Sequence, residues 1–484
     1  MQTGGVTSTA DPPIDLRETA RVALARLDHS DVVIPKDRHR ALARPPGPSR
    51  AQVWRRFISG DGAPWFMVEV ERDYPTIAHM RVLGEHMYTL TSPEAIVEVF
   101  IGHGRDTMKG RGLQGTKAVL GNGLLTSEGE VHLRNRRLVQ PAFHRDRIAG
   151  YSRDMVDITL IHEQSWDDGS ALDMQVNMSA LTLTIVGRTL FGSDLAGDAH
   201  EIGESLQGLM QGMGRYIMLG PRVLRIPTPL RRRALTSFAR IDQIVQRIID
   251  EHRIAGDTGD MLSMLIAAEE DGTGFDDAQV RDEAMTLILA GHETTAMTLT
   301  WTWMLLAQNP AVAEWLHEEL DSVLAGRAPG MDDMGSLPRT RAVIAEAIRL
   351  YPPAWIQGRR MLSPTEVNGW TIPAGATTLI SQFAMHRSPR WWNSSLTFMP
   401  QRWIDADGAF SEDAPGQPRG AWFPFGWGNR RCIGEQFAWT EATLVLATLA
   451  QRWRPELVPG ADITVTPAVT LRSKGGMPMV LRRR

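Results

Sequence analysis

A stretch near residue 280 constrains the fold of this chain more than any other feature of the sequence. Asp276 or Asp277 is placed to cap a helix that continues without interruption to about Gln308. Since each residue of a helix adds roughly 1.5 Å, this helix spans on the order of 45 Å and crosses a whole domain. Its most apolar part, Met285–Ala307, carries Glu293 near the middle, followed by several threonines. The stretch therefore predicts a buried helix, and we expect no transmembrane segment.

The rest of the pattern is also mostly helical. Further helices are predicted at residues 127–139, 338–351 and about 434–452. Short strand-like segments occur at residues 81–91, 366–372 and 377–382. The first of these segments has Gly84 near its centre, as expected of a hairpin. The predicted fold class is mainly α with a minor β-sheet.

The chain divides into an N-terminal extension, residues 1–50, and a single domain, residues 51–484. The first thirteen residues are rich in Gly, Thr and Pro and are expected to be disordered. Residues 15–27 have the pattern of a short amphipathic helix, and the Pro-rich segment Ala43–Ser49 that of an extended strap. Beyond residue 50 we find neither a long linker nor an internal repeat, so this part is predicted to fold as one domain.

Composition excludes several classes of protein. The formal net charge of the 484 residues is −4, so the chain lacks the basic field expected of a nucleic-acid binder. A single cysteine allows no internal disulfide, which fits a reducing compartment. The first residues have neither the charged start nor the apolar core of a signal peptide. We therefore expect a cytoplasmic protein with no nucleic-acid partner.

The lone cysteine, Cys432, lies in the segment FGWGNRRCIG, directly before the last predicted helix. The N-terminus of that helix supplies N–H groups and a positive dipole, which are expected to lower the pKa of the thiol and favour a thiolate that binds iron. Gly426 and Gly434 let the backbone approach a flat ring closely. Phe425 is expected to keep the sulfur dry, and Arg430 to reach a carboxylate of the ring. The alternative, an ordinary core cysteine, does not explain why these residues surround it.

A second motif, AGHETT, lies inside the long helix. Thr294 shares one helix face with Ala290 and Gly291, whose small side chains leave a groove for a diatomic ligand. The hydroxyl of Thr294 can bond a backbone carbonyl or hold a water, and Glu293 beside it offers a titratable proton. The alternative is a polar interruption of a buried helix without a role in catalysis.

A third motif pairs Glu346 with Arg349, three residues apart in a predicted helix. Such pairs are usually exposed ion pairs of little energetic consequence. The apolar neighbours Ile348 and Leu350 instead favour a buried helix, and a buried pair needs a further partner. Arg402, in the segment FMPQRW, is a candidate for that partner.

In this order and at these separations, the three motifs resemble those of the cytochrome P450 family, over a region from about residue 60 to the end. The resemblance implies one domain that encloses haem b between the long central helix and the cysteine loop, with the thiolate of Cys432 as the iron ligand. It also implies that Glu293 and Thr294 form an acid–alcohol pair that delivers protons to dioxygen. Glu346 and Arg349 would form a structural triad with the later arginine.

The resemblance further implies which residues hold the haem carboxylates. Where the family usually has a tryptophan and an arginine four residues apart, this chain has His132 and Arg136. Histidine also donates hydrogen bonds, so the departure is mild. A later strand normally contributes another arginine, and here either Arg359 or Arg360 fits, since neighbours in a strand face opposite sides. Arg430 of the cysteine loop completes the set.

The function implied is a haem-dependent monooxygenase that inserts one oxygen atom from O2 into a hydrophobic substrate such as a fatty acid, terpenoid, steroid or polyketide. Residues 203–230, rich in Met and Gly, would form an adaptable roof over that substrate. A single cysteine cannot build an iron–sulfur cluster, so a separate redox protein must donate the electrons. The resemblance implies a ferredoxin- or flavodoxin-type donor with its reductase. Alternatives are a peroxide-driven or non-oxygenase haem-thiolate enzyme and a haem sensor, against which the Glu293–Thr294 pair argues.

Overall fold

The computed structural model describes residues 14–28, 43–58, 62–192, 205, 228–270, 273–413 and 417–484. Most of these residues are helical and the strands are short, so the predicted fold class is confirmed. The first thirteen residues, for which we expect disorder, lie outside the described residues. The same holds for Met210, Met213 and Met218 of the expected substrate roof.

The helices account for most of the described chain. In chain order, the α-helices are Leu16–Asp28, Arg50–Gln52, Ala63–Asp73, Pro93–Val97, Arg111–Gly115, Lys117–Leu120, Gly129–Val139, Arg145–Glu163, Met174–Phe191, Pro229–Ala255, Met261–Ala267, Asp277–Gln308, Pro310–Val323, Pro338–Leu350, Gln382–Met385 and Glu435–Ala450. Across the described ranges, no helix combines the length and the apolarity that crossing a membrane requires.

The helix Asp277–Gln308, here called the central helix, is 32 residues long and follows the prediction closely. Asp276 caps it, because its carboxylate accepts from the N–H of Gln279 while the Gln279 side chain accepts from the N–H of Asp276. Of the 32 residues of the central helix, 24 are buried. Ala290 is exposed in the middle of the helix, and its exposed surface faces an interior cavity.

A five-stranded sheet forms one side of the domain. Its strand order is Ile77–Val82, Glu85–Leu90, Thr377–Ile380, Gln357–Met361 and Thr107–Lys109. The first two strands form the predicted hairpin, which turns at Leu83 and Gly84, both with positive φ. The last two pair antiparallel, so that Lys109 lies opposite Arg359. The sheet thus brings together residues that are far apart in the sequence.

The remaining strands form small sheets of two or three strands. The pairs are Glu269–Glu270 with Thr273–Gly274, Thr365–Val367 with Trp370–Ile372, and Val465–Pro467 with Leu471–Ser473, and the three-stranded sheet contains Ala171–Asp173, Glu456–Leu457 and Pro478–Val480. The third pair forms a hairpin, and residues at and beside its tip line the interior cavity.

The described parts of the N-terminal extension contact the rest of the chain. The helix Leu16–Asp28 carries Arg26, whose guanidinium lies 5.7 Å from the centre of the Phe238 ring. In the strap, the carbonyl of Pro46 accepts from the N–H of His79 at 3.0 Å. A Cβ at Gly47 would lie 1.9 Å from the His79 carbonyl oxygen, so only glycine fits against this strand. The division of the chain at residue 51 stays a prediction.

Candidate functional site

A cavity of about 1440 Å³ lies between the central helix and the cysteine loop, residues 425–434. Ala290, Gly291 and Thr294 line it on the side of the helix. Phe425 and Cys432 line it on the side of the loop. The structure therefore places the first two sequence motifs on opposite walls of one enclosed space.

The side chain of Cys432 is exposed to this cavity. Its backbone N–H donates to the carbonyl of Phe425 at 2.9 Å, which holds the loop in a tight turn. Burial raises the pKa of the thiol to about 11, although the N–H of Gly434 and the charge of Arg136 act in the opposite direction. The start of the last helix thus acts in the expected direction through the Gly434 N–H, but burial outweighs it and the net pKa is raised. The positive charge of a bound iron would favour the thiolate.

Two glycines of the loop are required by its backbone. Gly426 and Gly428 both have φ of +70°, and a Cβ at Gly428 would lie 2.4 Å from the Phe100 carbonyl oxygen. Gly434 differs, because its φ is −86° and a Cβ there would make only an ordinary contact with Phe143. The protein itself thus leaves Gly434 free to carry a side chain.

Thr294 is half-buried and lies at the cavity wall. Its hydroxyl donates to the carbonyl of Ala290 at 2.9 Å, one helical turn earlier. With its proton engaged in this way, the oxygen keeps lone pairs that can accept a hydrogen bond from a water in the cavity.

Glu293 points elsewhere. Its carboxylate accepts from Arg472 Nε at 2.6 Å and Nη2 at 2.7 Å, and from the Thr470 hydroxyl at 2.6 Å. It is fully buried and is absent from the cavity lining. Burial acts to raise the pKa of Glu293, but Arg472 and the hydrogen bonds bring it below the usual value. The structure therefore does not bring Glu293 and Thr294 together at the cavity.

Basic side chains gather at one end of the cavity, here called the cationic end: Lys109, His132, Arg136, Arg359 and Arg430. Glu128 is the main acidic residue among them. It accepts from the Lys109 backbone N–H at 2.7 Å and forms a short ion pair with Arg430. Arg136 donates to the carbonyl of Arg431 at 2.8 Å. Sequence reasoning named four of the five basic residues and missed Lys109.

The choice between Arg359 and Arg360 is decided by the strand that carries them. Arg359 is buried, lines the cavity, and lies 4.9 Å from the centre of the Phe100 ring. Arg360 points to the opposite face, where its Nε donates to the carbonyl of Gly375 at 3.1 Å. Arg359 is therefore the arginine of this strand that faces the cationic end.

The residues around the cavity fit a haem. Arg359 and Arg430 bring two positive charges, and Lys109 a further basic group, into a buried region where Glu128 is the carboxylate that binds Arg430. The His132 Nε2 atom is buried and has no hydrogen-bond partner in the described part of the chain. A ligand with two carboxylates would neutralise the excess charge and supply that partner. The thiol of Cys432 is available to its iron.

The buried pair predicted from the third motif is present away from the cavity. Arg349 Nε and Nη2 donate to the two oxygens of Glu346 at 2.9 and 2.7 Å, and both side chains are fully buried. Arg402 Nε donates to Glu346 at 3.1 Å, as predicted. The Trp403 indole N–H and the Met399 backbone N–H also donate to this carboxylate. The network joins the helix Pro338–Leu350 to the segment that precedes the cysteine loop.

Comparisons with known proteins agree with this arrangement. A family model described as Cytochrome P450 matches residues 45–477. In structure, the chain is similar to the cytochrome P450DA heme domain with a TM-score of 0.81 and 24% identity, over 92% of this chain and 99% of that one. This likeness supports the fold.

Similar sequences come from Streptomyces. The chain is 39% identical to cyclooctatin synthase and 38% identical to cyclooctat-9-en-7-ol 5-monooxygenase, both of Streptomyces melanosporofaciens. The first match covers 82% of this chain and 86% of the relative, and the second 89% and 92%. Pentalenene oxygenase of Streptomyces avermitilis is 36% identical over 71% of this chain and 76% of its own. Since the family model and these relatives extend over most of its length, the chain belongs to the cytochrome P450 family.

Proposed function

We propose that this haem-dependent monooxygenase hydroxylates a cyclic terpenoid. The observation that carries the proposal is a cavity with largely apolar walls that separates the thiol of Cys432 from the Thr294 hydroxyl. A hydrocarbon skeleton can fill such a space without leaving polar groups of the protein buried and unpaired. The relatives named for cyclooctatin, cyclooctat-9-en-7-ol and pentalenene act on terpenoids, which supports this class over a fatty acid or a steroid.

We assign the residues of the site as follows. Cys432 would bind the iron, with Phe425 beside the sulfur and the glycines of the loop leaving room for the ring. The haem carboxylates would lie at the cationic end, within reach of His132, Arg359 and Arg430. Haem held by a thiolate supplies the activation of dioxygen. The electrons would come from a ferredoxin- or flavodoxin-type donor.

In this assignment Thr294 holds the water through which protons reach the reacting oxygen. The hydroxyl can accept from that water because its own proton is bonded to the carbonyl of Ala290. Glu293 would resupply the proton from a position on the central helix outside the cavity lining. Since its carboxylate is bound to Arg472, this transfer requires the Glu293–Arg472 ion pair to open.

A spectral titration tests the substrate class. Cyclic sesquiterpenes and diterpenes, as hydrocarbons and as alcohols, would be added to the ferric protein, with long-chain fatty acids and steroids for comparison. We expect a terpenoid to shift the Soret band, and the same compound to yield a hydroxylated product with a surrogate ferredoxin system. A productive response to fatty acids or steroids alone would contradict the proposal.

Replacing Thr294 by alanine is expected to uncouple the enzyme. Product formed per NAD(P)H consumed should fall on the order of 10²-fold, the lower range for a positioned proton-transfer group, while hydrogen peroxide rises. Haem content and the spectrum of the CO complex should stay unchanged. Thr302→Ala is the matched control, because Thr302 makes the same bond to the carbonyl four residues earlier, at 2.7 Å, away from the cavity. Equal coupling in the two variants would refute the assignment.

A further inference from the structure

The ring of His132 lies between a donor and an acceptor on one side and the cavity on the other. Its Nδ1 is 3.2 Å from the carbonyl oxygen of Leu124 and 3.4 Å from Lys109 Nζ. Burial and the charges of Lys109 and Arg430 lower the pKa of His132 to about 2, so the ring is neutral and carries one N–H. If that proton is on Nδ1, the Nε2 atom that borders the cavity is an acceptor. A carboxylate can bind there only if the proton is on Nε2.

Lys109 occupies the position that decides between the two tautomers. Its Nζ donates to the carbonyls of Leu124 at 2.9 Å and of Ser127 at 2.5 Å, and its third N–H is left for the His132 ring. The Leu124 carbonyl is thus already satisfied without a donor from His132. An ammonium group beside Nδ1 attracts a lone pair and repels an N–H. Its presence therefore favours the proton on Nε2.

The charges around Lys109 determine whether it is an ammonium group. Burial, followed by Arg430, lowers its pKa, and Arg359 and Lys117 act in the same direction. Glu128 raises it, and Glu283, whose own pKa is raised by burial to about 7, also faces it. Two carboxylates arriving at the cationic end would add negative charge and favour the ammonium form. A neutral amine would instead accept from Nδ1–H and select the other tautomer.

We infer that Lys109 is a positioning residue that holds His132 in the tautomer protonated at Nε2, so that the ring donates a hydrogen bond to a haem carboxylate. The inference rests on the proposed place of the carboxylates at the cationic end. It adds to that proposal a specific division of roles, in which Lys109 acts through the histidine and the two arginines act directly. It also explains why a lysine is kept almost fully buried at this point.

Nitrogen NMR of the holoprotein tests the tautomer directly. Histidine labelled with ¹⁵N in the ring would be incorporated and the ferrous–CO form measured, since its iron is diamagnetic. The His132→Gln variant identifies the signals of His132 among the 13 histidines. We expect a proton on Nε2 in the wild type and on Nδ1 in Lys109→Met. Lys117→Met, which removes a neighbouring buried lysine outside the cavity lining, should leave the tautomer unchanged. A proton on Nδ1 in the wild type would overturn the inference.

Haem transfer to apomyoglobin provides the second measurement. Lys109→Met should accelerate haem loss roughly ten- to hundredfold, as expected for one charge-assisted hydrogen bond. In a His132→Gln background the same substitution should have little effect, because a glutamine amide donates without needing a tautomer. Equal acceleration in both backgrounds would mean that Lys109 acts by its own contact, and the inference would be wrong. Lys109→Gln, which keeps a donor for the two carbonyls, serves if the methionine variant does not fold.

A third variant distinguishes the assignment of His132 to a haem carboxylate from the role of Lys109. If His132→Phe loses haem at the wild-type rate, the assignment of His132 to a carboxylate is wrong, and the inference fails with it. If His132→Phe accelerates haem loss but the wild-type ring is protonated on Nδ1, only the role of Lys109 is wrong.

Discussion

Replacement of Cys432 by serine is expected to abolish both the strongly red-shifted Soret band of the ferrous–CO complex and all oxygenase activity. That band reports a thiolate opposite CO, and Cys432 is the only residue of the chain that can supply one. A serine hydroxyl has a far higher pKa than a thiol and gives iron a harder, weaker donor. The CO difference spectrum and product formation are measured on haem-loaded protein.

The variant Cys432→His distinguishes loss of the sulfur ligand from disruption of the cysteine loop. An imidazole at this position can bind iron, so we expect haem to be retained and the CO complex to absorb at the wavelength typical of histidine ligation. Ile433→Val changes the neighbouring side chain without touching the ligand and should keep the wild-type band. A wild-type spectrum of the histidine type would refute the assignment of Cys432.

The second large effect concerns stability. Arg349→Ala leaves the carboxylate of Glu346 buried without its bidentate partner, which costs about 3–5 kcal/mol of the free energy of unfolding. Glu346→Ala should be similarly damaging, because it strands the guanidinium of Arg349 and removes the acceptor of Arg402 and Trp403. We expect a low yield of haem-loaded protein from both variants, and a lower urea midpoint for the fraction that folds.

The matched control is the pair Glu18–Arg21, which has the same spacing along a helix but is solvent-exposed. Its interaction is screened by water, so removing Arg21 should leave the urea midpoint nearly unchanged. If Arg349→Ala and Arg21→Ala unfold at the same midpoint as the wild type, the buried network contributes no more than an exposed pair.

Local patterns in the sequence were sufficient to predict the main elements. The central helix follows from the cap at Asp276 and the absence of proline before Pro310, and the structure places its limits at Asp277 and Gln308. The partners of Glu346 follow from burial, because a buried ion pair requires further donors. The orientation of Glu293 could not be predicted in this way. Its partner Arg472 lies 179 residues later, and no local rule relates the two.

The cationic end is a second feature that local patterns in the sequence could not predict. Lys109 reaches the site because its strand pairs with that of Arg359, and pairing between distant strands is not encoded in either segment alone. The same pairing determines which of Arg359 and Arg360 faces the cavity. The sequence shows only that the two side chains point to opposite faces of a strand. The net rise in the pKa of the Cys432 thiol could not be predicted either. The helix N-terminus offers only a partial charge, whereas burial removes the solvation of a full one and outweighs it.

The segments that form the cavity walls are far apart in the sequence, and this has a consequence for biosynthesis. The walls include the strand of Lys109, the helix of His132, the central helix, the strand of Arg359, the cysteine loop and the tip of the last hairpin. A nascent chain therefore cannot retain haem through a thiolate until the cysteine loop has been synthesised, long after the strand of Lys109 and the helix of His132. Until then its apolar walls are exposed to aggregation and proteolysis. The supply of haem once the cysteine loop has been made thus competes with misfolding, and the cofactor acts as a folding ligand that traps the assembled domain.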